Sequence, residues 1–348
     1  MAALNKFMLD RVLALPPPVL RFFSSGADAH KGGRTLDPRL QFLASAAKRG
    51  PAPKASTPED ARRLVDEAVA SIKPPPEPGV RAAPYTVPGP AGQISCRLYR
   101  PDNQDPAMPV LVFAHCGGGV VGDLETCDAF CRILARIVRG PVLSVDYRLA
   151  PEHRFPAGLD DVMAVYRHAR DNAAEFGGPA LKAAIGGDSA GGNFAAVICQ
   201  LLREAGEPQP ALQLLIYPAV DLVSELPSMR IYADAYPMTL GAIAWFMEQY
   251  LPEGVDPADP RISPLRAADL SGLAPAVVVT AGFDPVVDQG EAYARGLRKS
   301  GVPTAYRCYD SLIHCFTAYT GVAPAADVAC REIAGLVREG LQGRIPVR

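Results

Sequence analysis

The sequence has few histidines and almost no tryptophan. Five histidines and one tryptophan occur among its 348 residues. Imidazole is the commonest general base in enzymes and a frequent metal ligand. Any site that depends on imidazole is therefore restricted to five positions, which makes assignment by elimination feasible.

An excess of basic residues is also missing. The chain has 35 lysines and arginines against 37 acidic residues, and its net charge is −2. No segment carries the basic stripe with which nucleic-acid-binding proteins neutralise phosphates, so we expect no nucleic-acid partner.

No apolar run approaches the ~20 residues of a membrane-spanning helix. Prolines 16–18 interrupt the apolar N-terminal stretch. We therefore expect no secretion signal and a cytoplasmic protein.

Metal-binding cysteine patterns are absent. None of the eight cysteines forms a CxxC pair, and no histidine stands at zinc-finger spacing. The cysteines lie at positions 96, 116, 127, 131, 199, 308, 315 and 330. We expect reduced thiols, no bound metal and no cofactor.

What the chain does contain is an alternation of apolar runs and helical patterns from residue 84 onward. The predicted strands are 85–87, 94–99, 110–114, 142–145, 183–185, 212–217, 276–280 and, at a sheet edge, 304–309. The predicted helices between them are 123–138, 156–174, 190–204, 286–300 and 323–340. Such alternation predicts an α/β fold, in which helices cover both faces of a mostly parallel sheet.

Two other regions have a different pattern. Residues 1–82 are helical in character, with a helix start at Thr57-Pro58-Glu59-Asp60, where threonine caps and the acids face the helix dipole. Residues 222–262 interrupt the alternation and contain Trp245 and several prolines. Residues 1–82 hold no triad-like group, so they are predicted to form a cap rather than the catalytic centre. Residues 222–262 are predicted to form a second piece of the cap.

The strongest chemical motif is Gly187-Asp188-Ser189-Ala190-Gly191. It follows the predicted strand 183–185 and opens the predicted helix 190–204. A Gly-x-Ser-x-Gly sequence in that context forms a sharp turn that exposes the serine oxygen, and the helix N-terminus favours developing negative charge. The sequence therefore predicts Ser189 as a nucleophile.

A nucleophilic serine needs a base and an orienting acid, which in this type of fold follow it along the chain. His314 is the only histidine after Ser189, and it directly follows the predicted strand 304–309. The remaining histidines are His30, His115, His153 and His168. His314 is therefore the predicted general base.

The acid should follow the preceding strand. Asp284 does so, in Ala281-Gly282-Phe283-Asp284-Pro285. Asp288 competes with it but should lie one turn into the following helix. We predict Asp284 as the acid of the triad.

An oxyanion hole needs backbone N–H donors on a loop that approaches the substrate closely. The glycines after His115 and Cys116 follow the predicted strand 110–114 and permit such an approach. Gly117, Gly118 and Ala190 are the predicted donors. The same loop offers an alternative, because Gly117-x-Gly119-x-x-Gly122 matches a dinucleotide-binding fingerprint and predicts an NAD-type dehydrogenase. That alternative leaves the triad residues unexplained.

Together these motifs resemble the hormone-sensitive-lipase-like branch of α/β hydrolases, the bacterial family IV esterases, over about residues 35–340. The matching motifs are Asp123-Leu124, Tyr147-Arg148-Leu149-Ala150-Pro151-Glu152, Phe155-Pro156-Ala157, Gly187-Asp188-Ser189-Ala190-Gly191-Gly192, Asp259-Pro260-Arg261-Ile262-Ser263-Pro264, Asp284-Pro285 and Ile313-His314. The resemblance implies cofactor-free hydrolysis of small esters with short or medium acyl chains. It implies an N-terminal helical cap region at 1–82, a catalytic domain at 83–348 and a second cap insertion at 222–262. It also implies homodimers paired through an edge strand, here 304–309.

The sequence departs from that family at three places. Cys116 stands where the family has the first glycine of its oxyanion loop, Gly119 replaces an aromatic residue, and Cys315 replaces the glycine after the catalytic histidine. Both thiols should lie near Ser189. They fit two interpretations, small inert replacements for glycine or reactive thiols, and a disulfide between them requires Cα atoms within about 7 Å.

Two further hypotheses stay open. Residues 1–34 lie outside the resemblance, and their apolar residues form either core packing or a weak membrane-surface contact. The chain also fits a non-catalytic ligand-binding receptor of the same fold, although such receptors usually lose a triad member.

Overall fold

The computed structural model describes residues 6–24, 29–49 and 57–345. Its core is an eight-stranded sheet, accompanied by a two-stranded antiparallel ribbon of β1 (His30–Lys31) and β2 (Arg34–Thr35). The strands of the main sheet are β3 (Val80–Gly89), β4 (Gly92–Pro101), β5 (Val110–Ala114), β6 (Val142–Val145), β7 (Ala183–Asp188), β8 (Gln213–Ile216), β9 (Ala276–Phe283) and β10 (Thr304–Ile313). Their order across the sheet is β10-β9-β8-β7-β5-β6-β4-β3.

Helices lie between these strands and before them. The α-helices are α1 (Lys6–Leu13), α2 (Pro17–Ser24), α3 (Pro38–Arg49), α4 (Pro58–Ile72), α5 (Asp128–Val138), α6 (Ala157–Asp171), α7 (Ala190–Glu204), α8 (Pro227–Ile231), α9 (Leu240–Tyr250), α10 (Val287–Lys299) and α11 (Pro324–Leu341). Single 3₁₀ turns occupy Ala173–Phe176, Pro264–Arg266 and Phe316–Tyr319. No helix in the described part of the chain has the length and apolarity needed to cross a membrane.

The burial of the sheet follows from its strand pattern. All residues of β5 to β9 are buried, as expected of parallel strands that are covered by helices on both faces. The antiparallel pairing of β3 with β4 forms the predicted hairpin. Strand β10 stands at the end of the strand order, pairs with β9 and is partly exposed, so it is the predicted edge. The prediction of an α/β fold with a mostly parallel sheet is confirmed.

Element boundaries differ from the predictions where glycines or loops are involved. The predicted helix at 123–138 begins only at Asp128. The predicted strand 183–185 continues to Asp188, because Gly186 and Gly187 let the neighbouring backbone and side chains approach closely. A Cβ at Gly186 would lie 2.8 Å from the Cβ of Leu214. The predicted helix 190–204 is confirmed to the residue, and Thr57 caps α4 by accepting a hydrogen bond from the Asp60 N–H.

The N-terminal helices and the 222–262 insertion meet above the carboxyl ends of the strands. Ala61 of α4 packs in one apolar cluster with Val120 and Val121 of the loop after β5, and Trp245 and Phe246 of α9 pack against the same cluster. In parallel sheets functional residues gather at this edge, so these two regions lie over the candidate site.

Candidate active site

Ser189 occupies a strained turn between β7 and α7. Its backbone has φ 55° and ψ −113°, a region that residues with a side chain rarely adopt. The strain is sustained by close packing around the turn. A Cβ at Gly187 would lie 2.3 Å from the carbonyl carbon of Gly191, and one at Gly191 would lie 2.0 Å from the Ala114 carbonyl oxygen. Only glycine fits at either position, which explains the spacing of the motif.

The three residues predicted as a triad come together. Ser189 Oγ lies 2.8 Å from His314 Nε2, and His314 Nδ1 lies 2.6 Å from Asp284 Oδ2. All three side chains are buried. Asp284 is held by the Val286 N–H, which donates to its other oxygen, Oδ1. This geometry lets the imidazole exchange a proton with the serine while one carboxylate fixes the imidazole orientation.

The competing acid has a different role. Asp288 lies in the first turn of α10, where its Oδ2 accepts a hydrogen bond from the Ser228 N–H at 2.8 Å. It therefore connects α10 to α8, and no hydrogen bond joins it to His314 in the described part of the chain. Its position one turn into the helix agrees with the sequence prediction.

Opposing effects act on the pKa of His314. Burial lowers it, whereas the charge of Asp284, its hydrogen bond and the neighbouring Cys315 thiolate raise it, and the net pKa lies well above the usual value. The protonated imidazole is thus stabilised between two anions. A base with a raised pKa is a stronger proton acceptor, which suits the transfer of a serine proton.

The loop after β5 places the predicted oxyanion donors beside the serine. Gly118 lines the same cavity as Ser189, Ala190 and His314. Gly117 and Gly118 have φ 123° and 63°. A Cβ at Gly117 would lie 2.0 Å from the Val121 carbonyl oxygen, and one at Gly118 would lie 2.5 Å from Cγ of Phe246. The loop accepts only glycine at these positions.

The N–H groups of this loop are available to a ligand. Over the ranges 6–24, 29–49 and 57–345, no hydrogen bond joins the N–H of Gly117, Gly118 or Ala190 to a protein acceptor. The first N–H groups of a helix lack partners within the helix, which accounts for Ala190. Gly117 and Gly118 lie outside the helices and strands, so no regular backbone pairing uses their N–H groups.

A histidine that the sequence analysis set aside supports this loop. His115 is fully buried, its Nδ1–H donates to the Cys116 carbonyl at 2.7 Å, and its ring stacks on Tyr147 at 4.3 Å between centroids. Burial lowers the pKa of His115 to about 4, so the ring is neutral. The Tyr147 hydroxyl donates to the His115 carbonyl at 2.8 Å. Both residues thus hold the backbone that precedes the glycines.

Asp188 and Tyr217 form a second support that the sequence did not reveal. The Tyr217 hydroxyl donates to Asp188 Oδ2 at 2.8 Å, and Thr317 donates to the same oxygen at 3.1 Å. The Tyr217 ring lies 4.8 Å from the His314 ring. Burial raises the pKa of Asp188 to about 6. This network connects the residue before the serine to the segment after His314.

Arg34 reaches the site from the N-terminal region. Its guanidinium donates to Asp310 at 2.8 Å and to the Gly282 carbonyl at 3.3 Å, two residues before Asp284. A sequence pattern shows only which residues are close along the chain. These two contacts join residues 276 and 248 positions apart, so no sequence pattern predicted them.

A cavity of about 100 Å³ opens over the serine. Its walls are mainly apolar, and the 222–262 insertion contributes much of them. The residues from that insertion are Leu222, Met229, Met238, Ile243, Phe246, Met247, Tyr250 and Ile262. A small apolar cavity beside a nucleophile favours a short apolar substituent on the substrate.

The eight cysteines are all free thiols. The Sγ atoms of Cys116 and Cys315 lie 3.6 Å apart, so the two substituted glycine positions meet. Cys127 and Cys131 form another close pair, with 3.7 Å between their Sγ atoms. Within the described ranges, no group of three or more histidine, cysteine or acidic side chains is arranged to hold a metal ion.

The dinucleotide fingerprint does not form its usual structure. Helix α5 begins six residues after Gly122, whereas the fingerprint needs its helix to start within the glycine run. A Cβ at Gly119 would lie 2.7 Å from the Tyr250 ring, and Phe246 covers Gly118. Aromatic side chains occupy the space that a pyrophosphate would need, so the dehydrogenase alternative is not supported.

Comparison with known proteins agrees with this geometry. Residues 111–318 match a family described as alpha/beta hydrolase fold. The carboxylic ester hydrolase LipN of Mycobacterium tuberculosis is 44% identical over 310 residues, which cover 87% of this chain and 82% of LipN. The ethyl acetate hydrolase of Pseudomonas putida is 38% identical over 237 residues, 67% of this chain and 74% of that protein.

A solved structure is similar over most of its length. The ester-hydrolase EH1AB1 from the metagenome of Lake Arreo has a TM-score of 0.82 and 42% sequence identity, over 87% of this chain and 98% of that one. Sequence, fold and site geometry lead to one assignment. The chain belongs to the hormone-sensitive-lipase-like branch of the α/β-hydrolase fold family and is a carboxylic ester hydrolase.

Proposed function

We propose that this carboxylic ester hydrolase cleaves short- to medium-chain acyl esters through an acyl-enzyme formed on Ser189. In the first step His314 Nε2 takes the serine proton as Oγ attacks the ester carbonyl carbon. Asp284 orients the imidazole through Nδ1 and stabilises its positive charge. The imidazolium then gives its proton to the leaving alcohol.

The oxyanion of the tetrahedral intermediate is assigned to the N–H groups of Gly117, Gly118 and Ala190. Such preorganised donors commonly account for about 3–4 kcal/mol each of transition-state stabilisation. The dihedrals of the two glycines and the absence of a protein acceptor for all three N–H groups in the described ranges support this assignment. Water then attacks the acyl-enzyme with His314 as general base, and the acid product leaves.

The acyl preference rests on the cavity above Ser189. Its volume of about 100 Å³ and its methionine and aromatic walls favour a chain of a few carbons. The name of the Pseudomonas putida relative, an ethyl acetate hydrolase, supports small substrates. Residues 1–82 and 222–262 are proposed as two parts of one cap that closes this cavity over the domain formed by the rest of 83–348.

Two proposals concern partners. Strand β10 is the partly exposed edge of the sheet, so a second copy could extend the sheet there and form a homodimer. Analytical ultracentrifugation of wild type and an edge variant, Tyr306→Lys, tests this: a monomeric wild type contradicts it. The second proposal is a weak membrane-surface contact of residues 1–34 through the apolar residues of one helical face, Leu4, Phe7, Met8, Val12 and Leu15. Of these, Leu4 and the side chain of Phe7 lie outside the described part of the chain.

The observation that carries the proposed mechanism is the 2.8 Å contact between Ser189 Oγ and His314 Nε2. Ser189→Ala should reduce turnover of a soluble butyryl ester by on the order of 10⁶ while the fold persists. Ser144→Ala, which removes a buried serine hydroxyl that contacts Cys127 Sγ in the core, is the matched control. If folded Ser189→Ala retained more than about a hundredth of wild-type turnover, another nucleophile would be responsible.

A further inference from the structure

A second cavity lies beside the catalytic one. Of the residues that line it, the proposed ester hydrolysis uses only Gly117 of the oxyanion loop. Its volume is about 240 Å³. It shares Met238 and Phe246 with the catalytic cavity, and helix α4 supplies apolar wall residues that include Val65 and Val69. The thiols of Cys116 and Cys315 line it together.

The two thiols lie where they can react with each other. Their Sγ atoms are 3.6 Å apart although 199 positions separate the residues in sequence. Cys116 precedes the glycine loop and Cys315 directly follows His314. Cys315 has φ 60°, the left-handed region that favours glycine, so a side chain is held there at a conformational cost. No step of ester hydrolysis uses either sulfur.

The two thiols are electrostatically unequal. The hydrogen bond from the Cys116 thiol lowers the pKa of Cys315 to about 5 against the effect of burial, and the nearby His314 charge lowers it further. The pKa of Cys116 is raised well above its usual value, first by the same hydrogen bond and then by burial. One sulfur is therefore a thiolate and the other a protonated donor, the usual arrangement of an attacking and a resolving cysteine.

We propose that Cys116 and Cys315 form a modification site for organic hydroperoxides, in which Cys315 is oxidised first and Cys116 then closes a disulfide with it. The apolar wall of the cavity favours hydroperoxides with an apolar substituent over hydrogen peroxide. The Cys315 sulfur attacks the terminal peroxide oxygen and the O–O bond breaks. The sulfur loses two electrons and becomes a sulfenic acid, while the alkoxide takes up a proton and leaves as an alcohol.

The second step joins the two residues. The Cys116 sulfur attacks the Cys315 sulfur, and the S–O bond breaks. The departing hydroxide combines with the Cys116 proton to form water. Since a disulfide bond is about 2.05 Å long, the sulfurs must approach by about 1.5 Å from their present 3.6 Å.

That movement has a consequence for hydrolysis. The disulfide would link the backbone just before Gly117 to the backbone just after His314. Displacements of about 1 Å in such groups reduce turnover by on the order of 10²-fold. The disulfide form should therefore be a weakly active enzyme that a dithiol reductant restores.

The chain contains its own control. The Sγ atoms of Cys127 and Cys131 are nearly as close, 3.7 Å apart, but both residues are buried in the core between α5 and the sheet. Neither lines the catalytic cavity or the second cavity, and burial raises the pKa of Cys131 well above its usual value. If proximity alone sufficed for oxidation, this pair would form a disulfide as readily as the first.

The experiment treats the reduced full-length protein with cumene hydroperoxide or with hydrogen peroxide at equal concentration. Intact mass, peptide mapping and butyryl-ester hydrolysis are followed in wild type, Cys315→Ala, Cys116→Ala and Cys131→Ala. Each activity is normalised to that of the same untreated protein. We expect a Cys116–Cys315 cross-link in wild type and in Cys131→Ala, formed faster with cumene hydroperoxide. Activity should fall by at least about 10-fold and return with dithiothreitol.

The variants separate the two steps. Cys116→Ala should stop at a sulfenic acid on residue 315 that dimedone traps, and Cys315→Ala should form neither product. If Cys315→Ala does not fold, Cys315→Gly is used instead, because glycine suits the left-handed backbone at this position. A cross-link at Cys127–Cys131 alone, no cross-link at all, an equal rate with both peroxides, or full activity of the cross-linked enzyme overturns the proposal. Because mass reports the cross-link directly, this outcome is distinguishable from failure of the proposed esterase mechanism.

Discussion

His314 Nδ1 and Asp284 Oδ2 lie 2.6 Å apart, and the carboxylate is completely buried. The two residues follow adjacent parallel strands, β10 and β9, whose carboxyl ends bring them to the same edge of the sheet. A buried carboxylate at this distance fixes the imidazole with Nδ1 protonated, which leaves Nε2 free to accept the serine proton.

Asp284→Asn should therefore reduce kcat by on the order of 10⁴, because the amide stabilises the wrong histidine tautomer. Asp288→Asn is the matched control, since it changes an acid four positions away that contacts Ser228. Steady-state kinetics on a soluble ester should show the control within about 10-fold of wild type. A larger loss in Asp288→Asn than in Asp284→Asn would reverse the assignment.

The pH dependence of hydrolysis should follow His314. The neutral imidazole accepts the serine proton, so the rate follows the neutral fraction and rises with pH through the histidine pKa. Because that pKa is raised well above its usual value of 6.5, kcat/KM should still be increasing above pH 6.5. The check is a pH–rate profile of the free enzyme.

Cys315→Ala tests one cause of this shift. The thiolate is among the groups that raise the pKa of His314, so its removal should move the acidic limb of the profile to lower pH. Cys131→Ala should leave the profile unchanged. A limb that stays in place in Cys315→Ala would show that Cys315 does not contribute to the histidine pKa.

Gly118→Ala should impair the oxyanion hole. Its Cβ would lie 2.5 Å from Phe246, so the loop must shift and its N–H must move away from the substrate oxygen. We expect a loss of kcat of on the order of 10²–10³. Gly254→Ala, with a similar positive φ of 79° but open surroundings, controls for backbone strain alone. Circular dichroism melts establish that both variants fold, and equal kinetics in the two would remove Gly118 from the site.

Acyl-chain preference should respond to the cavity wall. Wild type should have a higher kcat/KM for butyryl than for palmitoyl esters measured below micelle formation. Met229→Ala shortens a side chain of the cavity wall. The cavity becomes larger, so the preference should shift toward longer acyl chains. Met163→Ala removes a buried methionine of the core that lies outside the cavity. A palmitoyl preference in wild type, or an equal shift in both variants, would contradict a cavity-limited chain length.

The N-terminal helices combine burial with exposure. Leu13 and Leu20 are buried, whereas Met8, Phe22 and Phe23 are 54%, 75% and 51% exposed. Exposed aromatic residues beside a cationic residue suit an interfacial contact. Phe22→Ser with Phe23→Ser should reduce sedimentation with anionic phospholipid vesicles while kcat on a soluble ester is kept. Vesicle binding that is absent in wild type would rule out the contact.

The chain order and the local geometry of the candidate triad could be predicted from the sequence, because both depend on residues that are close to one another along the chain. Glycines at 187 and 191 permit the turn that exposes Ser189, and the apolar runs that end near Asp284 and His314 are parallel strands with a common edge. Pattern and spacing capture such features since neighbouring residues cause them. The boundary errors, such as the late start of α5 at Asp128, fall where a loop replaces a regular pattern.

Tertiary packing decided the rest. The cover of Gly118 by Phe246, the contact of Arg34 with the Gly282 carbonyl and the meeting of Cys116 with Cys315 join positions far apart in the chain. Each depends on how helices and loops settle on the sheet, which many side chains determine together. The sequence by itself determined a serine hydrolase of this fold, because its chemistry lies in local turns at strand ends. Only the tertiary structure decided the size of the cavity and the pairing of the two thiols, because these arise from side chains that no local pattern connects.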